Sequence, residues 1–397
     1  MNYYVIAGEA SGDLHGSNLL KEIKKLDAAA DFRCWGGDKM EAAGAMLVKH
    51  YRELAFMGFV EVIMNLRTIF RNLAFCKQDL LAYKPDALIL IDYPGFNLRI
   101  AEWAKQQGFK VIFYISPQVW AWKENRVKKM KQTIDKMLVI LPFEKDYFKN
   151  KWNWEVEYVG HPLVEVIENY VQATAESPSG DSAETFQSAG SAITDRKIIA
   201  LLPGSRQQEI VKKLPVMLEV SKTFPGYQFI VAKAPGLDES FYDTLLKDYP
   251  NVSYVPNQTY NLLLKAKAAL VTSGTATLET ALFGVPEVVC YKGSNISYQI
   301  AKRLIKIKYI SLVNLIMDKE VVKELIQDEM NPQNLTAELN KLLNDPAKKE
   351  QLQKDYTTLK ALLSKGGNAS ANAAQSIVDF VSIPLPLRGI PPLSKGI

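Results

Sequence analysis

The sequence predicts an α/β fold of two domains, each a parallel sheet wound with helices, the second followed by a helical C-terminal segment. Three observations predict it. Short apolar runs alternate with helical patterns from end to end. Several of these runs are continuously apolar, as strands buried on both faces of a parallel sheet are. At 397 residues the chain exceeds what one core ordinarily holds, and its composition breaks near the middle before the alternation restarts.

The first run, Tyr3-Tyr4-Val5-Ile6-Ala7, ends in Gly8-Glu9-Ala10-Ser11-Gly12-Asp13. A helical pattern follows, with Leu19, Leu20, Ile23 and Leu26 on one face. Strand, small-residue turn and helix in that order make a ligand site at the carboxyl end of a parallel sheet. Gly8 and Gly12 allow a sharp turn and close approach. Glu9 brings a carboxylate, Ser11 a hydroxyl and Asp13 a helix cap. The spacing is not the G-x-G-x-x-G of dinucleotide-binding turns.

Ala87-Leu88-Ile89-Leu90-Ile91-Asp92 is the next buried strand. Tyr93-Pro94-Gly95-Phe96-Asn97 turns the chain into a helix over 98–107, which Gly108 stops. Further strands are expected at 110–116, 137–141 and 156–159. The stretch 172–195, rich in Ser, Ala and acidic residues, cannot bury an apolar face and reads as a mobile insert. Strands resume at 197–202, 227–232, 252–255, 268–272 and 285–291, and from Val321 the chain reads as mainly helical. Residues 383–397 carry four prolines and read as an extended tail. The expected division is therefore 1–171, insert 172–195, second domain 196–382 and tail 383–397.

A net charge of +5 is too modest to argue for nucleic acid. Cys34, Cys76 and Cys290 are scattered, without disulfide or zinc spacing, which fits a reducing compartment. His15, His50 and His161 are equally dispersed. No signal peptide or membrane-spanning run is evident, so the expectation is a cytoplasmic protein without metal or cofactor.

Two loops of the second half suit a nucleotide. Pro203-Gly204-Ser205-Arg206 places backbone N–H groups, a hydroxyl and a guanidinium after a strand, with a helix N-terminus next, which suits a phosphate or diphosphate. Ser273-Gly274-Thr275-Ala276-Thr277-Leu278-Glu279 is a second such loop. Glu279 lies four residues beyond Thr275, so within a helix they share a face, and its carboxylate can accept from vicinal ribose hydroxyls. Either loop alone is also compatible with an ordinary βα turn.

Asp92 ends a buried strand, where partial desolvation raises a carboxyl toward base function. Glu9 and His15 are rival bases from the first turn. Trp120 and Trp122, in Ser116-Pro117-Gln118-Val119-Trp120-Ala121-Trp122, can floor a sugar or acyl pocket, although core packing accounts equally well for one of them. Residues 123–131 hold five basic residues, Arg126 among them, and 302–308 hold four. Most charge runs are solvated faces, but both of these alternate with apolar residues, as a headgroup-facing helix would. The stretch 54–75, including Met57, leaves almost no polar face; it reads as a buried helix or, having more apolar surface than one seam needs, as a segment in contact with acyl chains or a bilayer.

These segments resemble the lipid-A-disaccharide synthase family, inverting glycosyltransferases with two Rossmann-like domains and a cleft between them (the GT-B fold). The resemblance rests on Ala7 to Asp13, Glu53 to Val62, Ile91-Asp92 with Phe96-Asn97, and Ser116-Pro117 with Val119 to Trp122. Leu141-Pro142-Phe143-Glu144, Gly160-His161-Pro162, Leu201 to Arg206, Ser273 to Glu279 and Ser311 to Leu315 add to it. It implies transfer from UDP-2,3-diacylglucosamine to the 6-hydroxyl of 2,3-diacylglucosamine 1-phosphate, at the inner face of the inner membrane. It also implies Asp92 as base with Glu9 and Ser11 beside it. Arg206, Glu279, Asn314 and Gln333 fall on the nucleotide side, and Met57, Trp120, Trp122 and Arg126 on the lipid or acceptor side. The family form carries an acidic residue where this chain has Gly95. Two other readings share the fold. A UDP-sugar 2-epimerase would not need the basic and apolar surface of the first half, and a non-catalytic binding module would not need Asp92.

Overall fold

A computed structural model describes residues 1–54, 66–176, 197–234, 236–294, 298–299 and 307–383. Met57, most of the insert, most of the 302–308 cluster and nearly all of the tail lie outside these residues. The chain forms two compact units. One is Met1–Pro162 together with the segment beginning at Gly366; the other is Leu163–Lys365.

The first unit holds seven parallel strands: β1 (Asn2–Ala7), β2 (Asp31–Gly36), β3 (Met46–His50), β4 (Ala87–Ile91), β5 (Val111–Tyr114), β6 (Lys136–Val139) and β7 (Glu157–Tyr158). Their order is β3-β2-β1-β4-β5-β6-β7. Tyr3 to Ala7 and Ala87 to Ile91 are wholly buried, because β1 and β4 are central strands covered on both faces. In register, Ile6 lies beside Leu90 and Val5 beside Cys34. The second unit holds β8 (Lys197–Leu202), β9 (Tyr227–Lys233), β10 (Val252–Pro256), β11 (Ala266–Thr272), β12 (Glu287–Tyr291) and β13 (Lys323–Ile326). These are again parallel, in the order β10-β9-β8-β11-β12-β13.

Strand order reverses between β1 and β4 in one sheet and between β8 and β11 in the other. At such a switch point the connections leave in opposite directions, and a crevice opens beyond the carboxyl ends. The four loops singled out above leave these four strands.

Three features differ from the sequence reading. Strands β2, β3 and β13 were not expected. The helix Pro162–Glu176 runs through the expected boundary and into the first residues of the expected insert. The last helix, Ala369–Ser382, belongs to the first unit and not to the second. Its Ala373, Ala374 and Ile377 pack in one cluster with Leu19, Leu20 and Ile23 of the first helix, whose end residue Leu26 is exposed. Lys110 Nζ donates to the Val381 carbonyl at 2.7 Å, capping that helix. A Cβ on Gly366 would lie 2.8 Å from the Gly160 nitrogen, so the returning chain crosses Gly160-His161-Pro162 at a distance only glycine permits.

Candidate active site

At the first switch point the chain is bent sharply after β4. Asp92 and Tyr93 both adopt left-handed backbone, with φ of 45° and 49°. Each such non-glycine residue costs on the order of 1 kcal/mol or more, so the surroundings must enforce it. Buried Asn97 does so: its Nδ2 donates to the Asp92 carbonyl at 2.7 Å and to the Ile91 carbonyl at 3.3 Å. Asp92 N–H donates to the Tyr114 carbonyl at 3.1 Å. The Tyr93 ring lies over Gly8, where a Cβ would meet ring carbons at 2.3 Å, and its hydroxyl donates to the Leu54 carbonyl at 3.2 Å. Gly8 therefore makes room for Tyr93, bringing the turns after β1 and β4 together.

The elbow holds Asp92 half-buried, and burial pushes its carboxyl up to about 6. The charge of Glu9 raises it further, while the Tyr93 N–H opposes the rise. Glu9 is half-buried at the N-cap of the helix Ala10–Leu26. Ser11 is exposed in the first turn of that helix. His15 is buried, its Nδ1 has no hydrogen-bond partner among the described residues, and burial lowers its pKa to about 4. Beside it His161 is lowered to about 3, by burial first and by His15 second. Neutral His15 is a weak base in a closed environment, whereas a carboxylate near 6 is ionised at neutral pH and is the stronger base. Asp13 does not cap its own helix: it accepts from Gly37 N–H at 2.8 Å and Met40 N–H at 3.0 Å, tying down the helix Asp38–Ala42.

The two tryptophans part company. Trp120 is half-buried; its Nε1 donates to Glu144 at 3.1 Å and its ring meets Phe143 edge-on at 5.0 Å. Trp122 is 50% exposed, with Lys123 Nζ 3.9 Å from its ring centroid, and is the one available to a sugar or lipid. Glu144 was not singled out by itself. It is buried, accepts from Leu141 N–H at 3.0 Å, and is pushed up to about 7 by burial, with Asp92 adding to the rise. Its signal lay in Leu141-Pro142-Phe143-Glu144, a proline followed by a capping-box glutamate at a helix start. Arg126 lines a concavity of about 170 Å³ beside the Asp92 turn, with Gly95, Arg99 and Lys129. A Cβ at Gly95 would meet nothing within 4 Å, so the missing acidic residue is a chemical departure and not a steric one.

At the second switch point a cavity of about 450 Å³ is lined by Gly204, Ser205, Arg206, Glu209, Thr272, Ser273, Gly274, Thr275 and Glu279. A larger one, about 760 Å³, lies at the amino ends of β9 and β10, where open parallel sheets do not bind their ligands. Arg206 is the N-cap of the helix Gln207–Ser221. Gly274, at φ 148°, starts the helix Thr275–Leu282, so Thr275 and Glu279 do share a face. Burial raises the Glu279 carboxyl, and Tyr260 OH donates to it at 3.1 Å. Ser273 Oγ donates to the Ile310 carbonyl at 2.9 Å and keeps its lone pairs for a ligand.

Two assignments do not reach this cavity. Asn314 is buried; its Nδ2 donates to the Val322 carbonyl and to Glu324, both at 2.9 Å, and its Oδ1 accepts from Val321 and Val322 N–H at 2.8 and 3.0 Å. All four hydrogen-bonding positions of the amide are used inside the unit, which leaves none for a nucleotide. Gln333 is exposed in the first turn of the helix Pro332–Asn344 and is not among the cavity's lining residues. Among the described residues no group of three or more His, Cys, Asp or Glu is placed to hold a metal ion.

Two parallel-sheet units, each with small-residue loops at its switch point, define the fold of the GT-B sugar-nucleotide enzymes. Solved structures share it. A UDP-GlcNAc 2-epimerase from Neisseria meningitidis bound to UDP-GlcNAc superposes with a TM-score of 0.67 over 96% of this chain and 100% of its own, at 13% identity. CalG4, the calicheamicin glycosyltransferase, does so with 0.59 over 97% and 99%, at 16% identity. At such identities the likeness is of fold alone. The sequence profile of the lipid-A-disaccharide synthetase family matches residues 3–378, and the chain belongs to that family. Lipid-A-disaccharide synthases from Geobacter metallireducens and Syntrophus aciditrophicus are each 39% identical to it, over 91% and 94% of this chain and 93% and 96% of their own. Its activity is accordingly glycosyl transfer in lipid A biosynthesis, and the isomerase and binding-module readings fall away.

Proposed function

We propose that the chain transfers the sugar of UDP-2,3-diacylglucosamine to the 6-hydroxyl of 2,3-diacylglucosamine 1-phosphate, forming a β-1,6-linked disaccharide 1-phosphate and UDP. Asp92 takes the acceptor proton as a single in-line displacement inverts the anomeric carbon. The observation that carries this role is the desolvated carboxyl on an enforced left-handed elbow, pushed up to about 6. Arg206, the Gly204-Ser205 backbone and two helix N-termini stabilise the departing UDP without a metal. Glu279 accepts from the ribose hydroxyls. Arg99 and Arg126 supply positive charge for the acceptor phosphate, and exposed Trp122 meets sugar or acyl chain.

We also place the protein peripherally on an anionic membrane surface. No described helix is long and apolar enough to cross a membrane. The helix Leu66–Tyr83 exposes Phe70 and Phe75 beside Arg67 and Arg71, a mixture that suits headgroups and acyl chains. Lys128 is exposed, whereas Lys129 pairs with Glu102 at 2.7 Å and Lys131 caps Asn153 at 2.7 Å, so the basic cluster is weaker than its count. Incubation with both diacylated sugars and mass measurement of the lipid tests the reaction. The expected product is the tetraacyl disaccharide 1-phosphate; its absence, with both substrates intact, refutes the proposal.

A further inference from the structure

The cavity assigned to the nucleotide already contains an anion belonging to the chain. Glu209, in the first turn of the helix Gln207–Ser221, folds back over the loop after β8. Its Oε1 lies 3.4 Å from Arg206 Nη1 and its Oε2 lies 3.5 Å from Lys213 Nζ. The same Oε2 is 2.6 Å from the position a Cβ on Gly204 would take. Gly204 has φ 116°, so this closest point of the loop is bare backbone. Lys213 is 4% exposed and also donates to Thr272 Oγ1, whose residue lines the cavity. A buried ammonium needs a counter-charge, and here Glu209 provides it.

A diphosphate entering this loop would seek the same partners: the Arg206 guanidinium, the bare backbone at Gly204 and the positive end of the helix. It cannot reach them while a carboxylate lies across the loop without repelling that carboxylate or displacing it. We infer that Glu209 is an internal competitor of the nucleotide diphosphate. It neutralises Arg206 and Lys213 between turnovers, swings away when the diphosphate binds, and by competing for the same cations keeps product UDP from being held too tightly. This inference rests on the assignment of the cavity to the nucleotide. A site of two cations and a helix N-terminus with no competing anion would bind product and transition state alike, which slows release without lowering the chemical barrier.

A purely structural Glu209, one that holds Arg206 in place, makes the opposite prediction, so the sign of one measurement separates them. UDP and uridine are titrated calorimetrically into the full chain, Glu209→Gln, Glu209→Ala and Arg206→Ala, with folding of each checked by circular dichroism. Both Glu209 variants should bind UDP roughly three- to tenfold more tightly, the scale of one half-exposed charge contact, with uridine unchanged. The gain should shrink as salt rises. Arg206→Ala should weaken UDP. Unchanged or weaker UDP binding in both Glu209 variants, with Arg206→Ala still weakened, overturns the competitor and leaves the nucleotide site standing. If the unaltered chain binds UDP and Arg206→Ala does not weaken it, the site assignment falls, and the competitor falls with it.

Discussion

Asp92→Asn should make the protein less active and more stable, and both effects have sizes that follow from one carboxyl. Burial first, and Glu9 second, push Asp92 from 3.8 up to about 6. The folded state therefore holds this proton more tightly than the unfolded chain does. Stability from this group is fully present below about pH 4, declines as pH climbs to about 6, and stays at the lower level above. A shift of about 2 units at about 1.4 kcal/mol each makes the ionised group's cost about 3 kcal/mol, an upper figure because water and side chains relax around it. Asparagine keeps the shape and can still accept from Tyr93 N–H, but it cannot ionise. At about pH 7.5 the variant should gain up to about 3 kcal/mol, or a rise of up to about 6–12 °C in the unfolding of the first unit. At about pH 5 the gain should be about half as large. Thermal unfolding at the two pH values, beside turnover of the diacylated substrates, is the assay. Turnover should fall on the order of a hundredfold to ten-thousandfold. Equal or lower stability at pH 7.5, or a gain identical at both pH values, would refute the desolvation argument. Near-normal turnover would move the base to Glu9.

Asn314→Ala should destabilise the second unit by on the order of 3–5 kcal/mol, since it strands buried Val321 and Val322 backbone groups; a chemical-denaturation midpoint that does not move would contradict this. Glu279→Ala should weaken UDP and uridine alike by roughly tenfold, because its proposed partner is the ribose and not a phosphate; loss for UDP alone, by calorimetry, would reassign it. Co-sedimentation with anionic vesicles should fall as salt rises and should weaken when Lys128, Lys129 and Lys131 become Ser, at about 1 kcal/mol or less per residue. Equal binding to neutral and anionic vesicles would exclude the electrostatic part.

Spacings that depend on local geometry alone were legible in the sequence. Thr275 and Glu279 are one helical turn apart, and Asp92 follows directly on the continuous apolar run Ala87–Ile91 that forms β4. Pairings that depend on what lies opposite were not. Asp13 reads as a cap for its own helix, yet its partners are Gly37 and Met40, more than twenty residues on. The family resemblance puts Asn314 on the nucleotide side, yet its amide is consumed by the chain entering β13, a strand that periodicity does not predict. That strand, Lys323-Glu324-Leu325-Ile326, was missed because Glu324 is a buried acceptor for Ser311 N–H and Asn314, and no periodicity reveals a satisfied buried carboxylate.

By itself the sequence determined the two parallel sheets, the loops that leave their carboxyl ends and the family. Those properties reside in contiguous residues, through hydrophobic periodicity, turn chemistry and helix spacing. Tertiary structure decided which unit the last helix covers, which tryptophan stays open, that the Asp92 elbow is left-handed, and that Glu209 lies across the loop at Gly204. Ala373, Ala374 and Ile377 of the helix Ala369–Ser382 meet Leu19, Leu20 and Ile23 in the first unit, and the close crossing at Gly160 and Gly366 brings the chain back to them. Burial, and with it the pKa of Asp92, is a property of what packs around a residue. Residues distant along the chain set it, and no local pattern carries that information.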